Sequence, residues 1–253
     1  MTGPLLVSAF AGSPALPYEG SADPGRPFVT FYGDGTGERV ELSLTTLDNW
    51  VAKTAGLVVD GLGLGPGDRL RLDVPRHWQL PVWALAAWTT GLLLDLDGDP
   101  ALSQLAVSGP DGLAAAGAAA EVIGLSLRPL GAPFAPGTLP AGVLDYAREV
   151  GVYSDHFPGR RLDPAAPVLT CAGTTWSLAE AVAEAARLAS GWGLDAGGRL
   201  LVSEPLDPVS ELLAVTLVPL GLGGSVVLSA VEVPAERTTA EARGNLGGGP
   251  GRP

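Results

Sequence analysis

Residues 65–97 read GPGDRLRLDVPRHWQLPVWALAAWTTGLLLDLD. Leu70–Val74 alternates apolar and polar residues and predicts a strand. Trp78–Thr90 is apolar on most sides, carries Trp78, Trp83 and Trp88, and predicts a buried helix. Gly91 stops that helix, and Leu92–Leu96 follows as a buried strand. Just upstream, Leu44, Leu47, Val51, Ala55 and Val58 recur at helical spacing. They predict a helix over Leu44–Asp60, with Thr45 or Thr46 as N-cap and the glycine-punctuated loop Gly61–Gly67 as its end. Helix, strand, helix, strand is the order of an α/β layered fold.

Working outward, Pro27–Tyr32 and Glu38–Leu42 are strand-like runs around Gly33-Asp34-Gly35-Thr36-Gly37, a hairpin signal. No helix opens after these glycines, so they are not a dinucleotide loop. Downstream, Leu105–Ser108 predicts a strand, Gly112–Glu121 an Ala-rich helix and Val122–Leu127 another strand. Pro129–Pro140 is a loop, and Val143–Val150 a short helix.

The second half repeats the first. Gly67-Asp68-Arg69-Leu70 matches Gly197-Gly198-Arg199-Leu200, and Gly91-Leu92 matches Gly221-Leu222, both at an offset of 130 residues. The helical stretches Leu47–Leu64 and Leu178–Leu194 precede the two copies. Equal spacing of two anchors points to duplication. The expected fold class is therefore α/β: two similar lobes of mostly parallel strands flanked by helices. The expected domains are a flexible arm over 1–25, a first lobe over 26–130 and a connecting segment over 131–165. A second lobe over 166–231 and a disordered tail over 232–253 complete the division.

Composition sets outer limits. The 253 residues carry 27 acidic against 15 basic side chains, a formal net charge of −12. Such a chain repels phosphate backbones, so nucleic acid is not an expected partner. Hydrophobic residues make up 46%, enough for a sizeable core. The single cysteine, Cys171, excludes an intramolecular disulfide, and the two histidines, His77 and His156, leave little for a metal site. Lys53, the sole lysine, is expected to snorkel to solvent from its helix. The start of the chain lacks a positive n-region. The longest uncharged stretch, 212–231, is broken by Pro219, Gly221, Gly223 and Gly224 and reads as helix, turn and strand. A cytoplasmic protein without a membrane partner is expected.

Chemistry concentrates at Pro167–Trp176, PVLTCAGTTW. A strand feeds a loop of small and hydroxyl residues, and a helix opens at Ser177. Such a loop can hold phosphate through backbone N–H groups and Thr hydroxyls. The same residues can simply start the helix, because Ser177 and Glu180 have capping-box spacing. Asp95-Leu96-Asp97-Gly98-Asp99 has the spacing of a calcium loop. However, Pro100 stands where that loop needs Gly and Ala106 where it needs Glu, so a solvated turn is expected. Cys171 has a nucleophile reading with His77 or His156 and a buried-hydrophobe reading. His156 is the candidate for lining a ligand cleft, against a plain packing role.

The 167–176 run resembles the phosphate-binding signature of the adenylate-forming superfamily, the acyl-CoA synthetases and peptide-synthetase adenylation domains. Thr170, Gly173, Thr174 and Thr175 match that signature. Gly65-Pro66-Gly67-Asp68-Arg69, the following Pro and helix, and Gly91 with its apolar strand are similar to the N-terminal part of those enzymes. The resemblance extends over about residues 27–230. It implies the fold expected above, and nucleotide or phosphate binding at Thr170, Gly173, Thr174 and Thr175, with AMP or ATP and magnesium as the cofactor.

The departures imply lost catalysis. Ala172 replaces a serine, Trp176 replaces a glycine, and the Pro-Lys-Gly of the signature is gone. The family's adenine-contacting segment, its ribose-binding aspartate and its catalytic lysine are not expected within this sequence. Two functions follow as expectations. The first is a pseudoenzyme with no catalytic residues of its own that binds a small molecule or a protein partner. The second is a partial adenylate-forming enzyme of the acid–CoA ligase type that needs a second chain.

Overall fold

The computed structural model describes residues 25–33, 37–158 and 162–229. The expected arm, 1–25, and tail, 232–253, lie outside the described residues except for Gly25. Eleven strands are described among these residues: β1 Pro27–Gly33, β2 Glu38–Ser43, β3 Arg69–Asp73, β4 Leu93–Asp95, β5 Leu105–Ser108, β6 Glu121–Gly124, β7 Leu144–Asp145, β8 Pro167–Cys171, β9 Thr174–Ser177, β10 Arg199–Val202 and β11 Ser225–Ser229. The helices are α1 Leu44–Gly56, α2 Gln79–Thr90, α3 Leu113–Ala116, α4 Tyr146–Glu149, α5 Leu178–Gly191, α6 Pro208–Val215 and α7 Leu217–Leu222. The strands form a four-stranded sheet, β10-β11-β1-β2, and a seven-stranded sheet, β7-β6-β5-β3-β4-β8-β9. Only the β1–β2 and β8–β9 pairings are antiparallel.

The duplication is present and is longer than the sequence shows. Each copy is hairpin, helix, strand, helix, strand, over Pro27–Asp95 and Pro167–Ser229. Each hairpin opens on a proline, and its register shifts in the same place, between Pro27 and Val29 and between Pro167 and Leu169. Each closes on a serine that caps the next helix: Ser43 accepts from the Thr46 N–H, and Ser177 from the Glu180 N–H. The expected caps Thr45 and Thr46 are thus two and three residues too late.

The hairpins are exchanged between sheets. β1 lies parallel to β11, and β8 lies parallel to β4. Each sheet therefore draws strands from both 26–130 and 166–231, and β7, within 131–165, forms an edge of the larger sheet. A division along the chain does not coincide with the sheets, because each hairpin completes the other copy's sheet.

One sequence anchor moves. Gly91 ends α2 at φ 84°, and its counterpart is Gly223, which ends α7 at φ 59°. Matching hydrogen bonds, Leu92 N–H to Ala87 and Gly224 N–H to Pro219, both 2.9 Å, fix the equivalence at 132 residues rather than 130. Gly221 lies inside α7. The second copy's helix is broken at Thr216 (φ −127°, ψ −87°), because Pro219 lacks an N–H and its ring crowds the carbonyl four residues back. The two extra residues are absorbed there.

The core lies where the sheets share helices. All twelve residues of α2 are buried, packed against α1, α6 and β4. The Trp88 indole N–H donates to the Val168 carbonyl at 2.9 Å, which ties α2 to the exchanged strand β8. The expected helix over 112–121 is only α3, because the chain turns at Gly117 to enter β6. Lys53 does not run to solvent; its Nζ donates to the Tyr153 carbonyl at 2.8 Å.

Candidate functional site

In open α/β sheets, ligands collect at the carboxyl ends of parallel strands. Three groups of residues stand there: the β8–β9 turn with the β4 end, the β3–β5 switch point, and the helix starts that face the other sheet.

The 170–177 segment is not a loop leading into a helix. It is a hairpin with a two-residue turn, Ala172 at φ 49° and Gly173 at φ 74°. Both central residues are left-handed, as a type I′ turn requires. Thr170 pairs with Thr175 in the ladder, and Cys171 with Thr174. The Thr170 carbonyl accepts from the Leu96 N–H at 3.1 Å. Gly173, Thr174 and Thr175 are exposed, and a Cβ on Gly173 would meet nothing within 4 Å. The helix-start reading of Ser177 holds in full: Glu180 reaches back to the Ser177 N–H at 2.8 Å and completes a capping box.

The groups around this turn are acidic. The Ala172 N–H donates to Asp97 Oδ2 at 2.7 Å, so a carboxylate of the chain itself occupies that donor. Asp95 is buried rather than solvated, as its loop was expected to be. Its carboxylate accepts from Arg69 Nη1 at 2.7 Å and from the Gly98 N–H at 2.7 Å. Burial opposes its charge, but Arg69 and the N–H donors of Gly98 and Asp97 outweigh it and hold the carboxyl below the ordinary range. Arg71 is committed too, to the carbonyls of Leu72, Asp95 and Leu96.

Cys171 is buried in the same place. Burial and then the charges of Asp97, Asp207 and Asp95 push its thiol up, and no histidine is among the groups that act on it. A thiol held protonated is a poor nucleophile. Ellman's reagent at pH 8 is expected to label the folded chain about tenfold or more slowly than the urea-unfolded chain. Asp97→Asn is expected to speed labelling of the folded form. Equal rates folded and unfolded would refute this account of the thiol.

The switch point of the larger sheet lies between β3 and β5, since the strand order runs outward in both directions from there. Asp73 and Ser108 are paired in register at their carboxyl ends. Gly112 lies so close that a Cβ there would strike Asp73 Oδ2 and Ser108 Oγ.

From the same strand end, Arg76 crosses to the other sheet. It grips both carboxylate oxygens of Glu211 at 3.0 Å and donates to the carbonyls of Glu204 at 2.9 Å and Ser229 at 3.3 Å. The sequence reading missed Arg76 and Asp73, and placed Asp97 only within a solvated turn. All three are charges that stand at, or within three residues of, the end of a buried strand, and that is the local signal they share.

His77 follows Arg76 and is buried, its ring edge-on to Phe31 of β1 with centroids 4.7 Å apart. Nδ1 accepts from the Gln79 N–H at 3.3 Å. Burial lowers its pKa from 6.5 to about 4, so it is neutral near pH 7. As pH falls from 6.5 toward 4, the unfolded chain takes this proton first. Stability is therefore complete above this window and is expected to drop across it, by roughly 3 kcal/mol. His77→Asn keeps an acceptor for the helix N–H but removes the titration. Urea midpoints at pH 7 and pH 4.5 should differ less in this variant than in the natural chain. An identical pH dependence would clear His77 of the effect. His156, by contrast, is exposed on a loop, its N–H on Ser154 Oγ at 3.1 Å.

Among the described residues no group of three His, Cys, Asp or Glu side chains could hold a metal ion. No helix among them is long and apolar enough to cross a membrane.

No family model matches the chain. Its fold is that of the N-terminal half of acyl-CoA synthetases. A Brucella canis acyl-CoA synthetase matches at a TM-score of 0.73 and 20% identity, covering 96% of this chain and 49% of that one. Apo MatB from Rhodopseudomonas palustris matches at 0.68 and 17% identity, covering 96% and 48%. The chain thus spans about half the length of the solved structures it matches. A Mycobacterium tuberculosis relative is 39% identical over 247 residues, covering 93% of this chain and 94% of its own length. That relative is a TIGR03089 family protein, and on this identity and coverage the present chain belongs to the TIGR03089 family.

Proposed function

We propose that this chain is a catalytically degenerate relative of the acyl-CoA synthetases, a cytoplasmic binding protein for a small molecule or a protein partner. The observation that carries this reading is the Ala172–Gly173 turn. Two residues make it, and the Asp97 carboxylate accepts the Ala172 N–H. An incoming phosphate would have to displace that carboxylate and then lie in the negative potential that Asp97 and Asp207 exert at Cys171, while Asp95 is already offset by Arg69. Coulomb repulsion opposes it.

A second reading is favoured by one observation, the coverage of about half of each solved synthetase. On that reading the chain is a partial adenylate-forming enzyme. It takes AMP, ATP with magnesium or an acyl-adenylate at Thr170, Gly173, Thr174 and Thr175, and another chain completes it.

Thermal melts with ATP and magnesium, AMP, CoA and a non-hydrolysable acyl-adenylate separate the two. A ligand at one hundred times its Kd stabilises by about 2.7 kcal/mol. That is worth roughly 5–10 °C for a chain of this size. The first reading expects no shift with any of the nucleotides. A rise with ATP or AMP that Thr174→Ala removes would overturn it in favour of the second.

A further inference from the structure

We propose that a groove at the carboxyl ends of β5 and β6, separate from the Ala172–Gly173 turn, binds a small amphiphilic monoanion. The groove encloses about 630 Å³ between the α3 segment and the loop leading to β7. Cavities of roughly 300–1,000 Å³ hold ordinary small ligands. Its floor is apolar: Leu113 and Phe134 are buried beneath it, and Val143 packs against them. Ala114 and Pro140 form low walls.

Charge selects the ligand. The chain carries 27 acidic residues, yet none lines this groove. The one charged lining residue is Arg128. Its Nη1 donates to the Pro133 carbonyl at 2.7 Å, which fixes the guanidinium at the rim. No carboxylate among the described residues forms an ion pair with it, although Arg39, Arg69, Arg76, Arg148 and Arg187 all have one. The floor takes an apolar body and Arg128 takes the anionic head. A cationic head would meet like charge, and an uncharged one would forgo the charge-assisted hydrogen bonds that the guanidinium offers.

The probe is 8-anilino-1-naphthalenesulfonate, followed by its fluorescence and displaced by 1-octanesulfonate, octylamine or 1-octanol. Octanesulfonate is expected to displace it and octylamine is not. Arg128→Glu should weaken binding at least tenfold, and Ala114→Phe, which fills the groove from an exposed helix position, should abolish it. Arg187→Glu, which changes an exposed arginine outside the groove, should bind as the natural chain does. Melting curves establish that each variant is folded, and two groove variants guard against the loss of one. Absence of binding, equal competition by octylamine, or binding untouched by both groove variants overturns the proposal. The nucleotide melts read a different place, so either result stands without the other.

Discussion

Arg76→Ala is expected to lower the unfolding free energy by about 3 kcal/mol, near the low end for breaking a buried ion pair. The guanidinium leaves the end of β3 and lands on the other sheet. All three of its guanidinium nitrogens serve there: Nε and Nη2 hold Glu211 in a two-point grip, and Nη2 and Nη1 reach the carbonyls of Glu204 and Ser229. The pair is largely buried, with 12% and 21% of the side chains exposed. Truncation leaves the Glu211 carboxylate in a half-dry site with nothing to offset it, and strips carbonyls at the ends of β10 and β11 of a donor. Partial exposure lets water enter, which keeps the cost from reaching the upper end of that range. Arg76→Lys should recover less than half of it, because an ammonium cannot match the two-point geometry. Glu211→Gln keeps the shape and loses the charge, and should cost less than Arg76→Ala. Urea denaturation of the three variants and of the double variant closes the cycle. A loss below about 1 kcal/mol for Arg76→Ala would place the pair among ordinary surface ion pairs.

The sheets were legible where the chain signals locally. The Leu70–Val74 alternation, the apolar Trp78–Thr90 run and the stop at Gly91 gave β3, α2 and β4 with small errors at the ends. Periodicity and glycine stops are properties of neighbouring residues, so they survive in a single sequence. The exchange of hairpins is not such a property. Nothing in Pro167–Cys171 says that it will pair with Leu93–Asp95 instead of with its own copy's strands. The β8–β9 turn was misread for a more specific reason. Thr170, Gly173, Thr174 and Thr175 match a phosphate-loop pattern, and that match hid the strand propensity of Thr174-Thr175-Trp176. Ala172 at positive φ is uncommon for a non-glycine residue, which makes the tight turn hard to anticipate. Sequence spacing pairs Gly91 with Gly221 because it counts residues, whereas the kink at Thr216 absorbs two of them. Lys53, Arg76 and Asp97 were unreadable in the same sense. Their partners, the Tyr153 carbonyl, Glu211 and the Ala172 N–H, lie 75 to 135 residues away.

ATP–pyrophosphate exchange by the purified chain, with any carboxylic acid, is expected to stay below detection. Exchange requires a carboxylate held in line with the α-phosphorus and positive charge on the departing pyrophosphate. Among the described residues, the arginines of β3, two strands away from β8 in the same sheet, are already committed. Arg69 holds Asp95 at 2.7 Å, and Arg71 holds backbone carbonyls at the end of β4. Lys53, the sole lysine, is bound to the Tyr153 carbonyl. Asp97 sits on the Ala172 N–H, and Asp95 and Asp207 add to the negative potential felt at Cys171. Losing one preorganised electrostatic contact costs about 3–4 kcal/mol of transition-state stabilisation, or several hundredfold in rate. Here at least two are missing and carboxylates stand close by, so the losses compound. Ala179→Lys should not restore exchange. It adds one flexible charge at the start of α5 while the Asp97 carboxylate keeps the turn's N–H. Asp97→Asn removes the negative charge without supplying a cation, and should also leave the assay at background. Exchange above background in the natural chain, lost on Thr174→Ala with the melting temperature unchanged, would show that the turn handles phosphate after all. The partial-enzyme reading would then replace the binding-protein one.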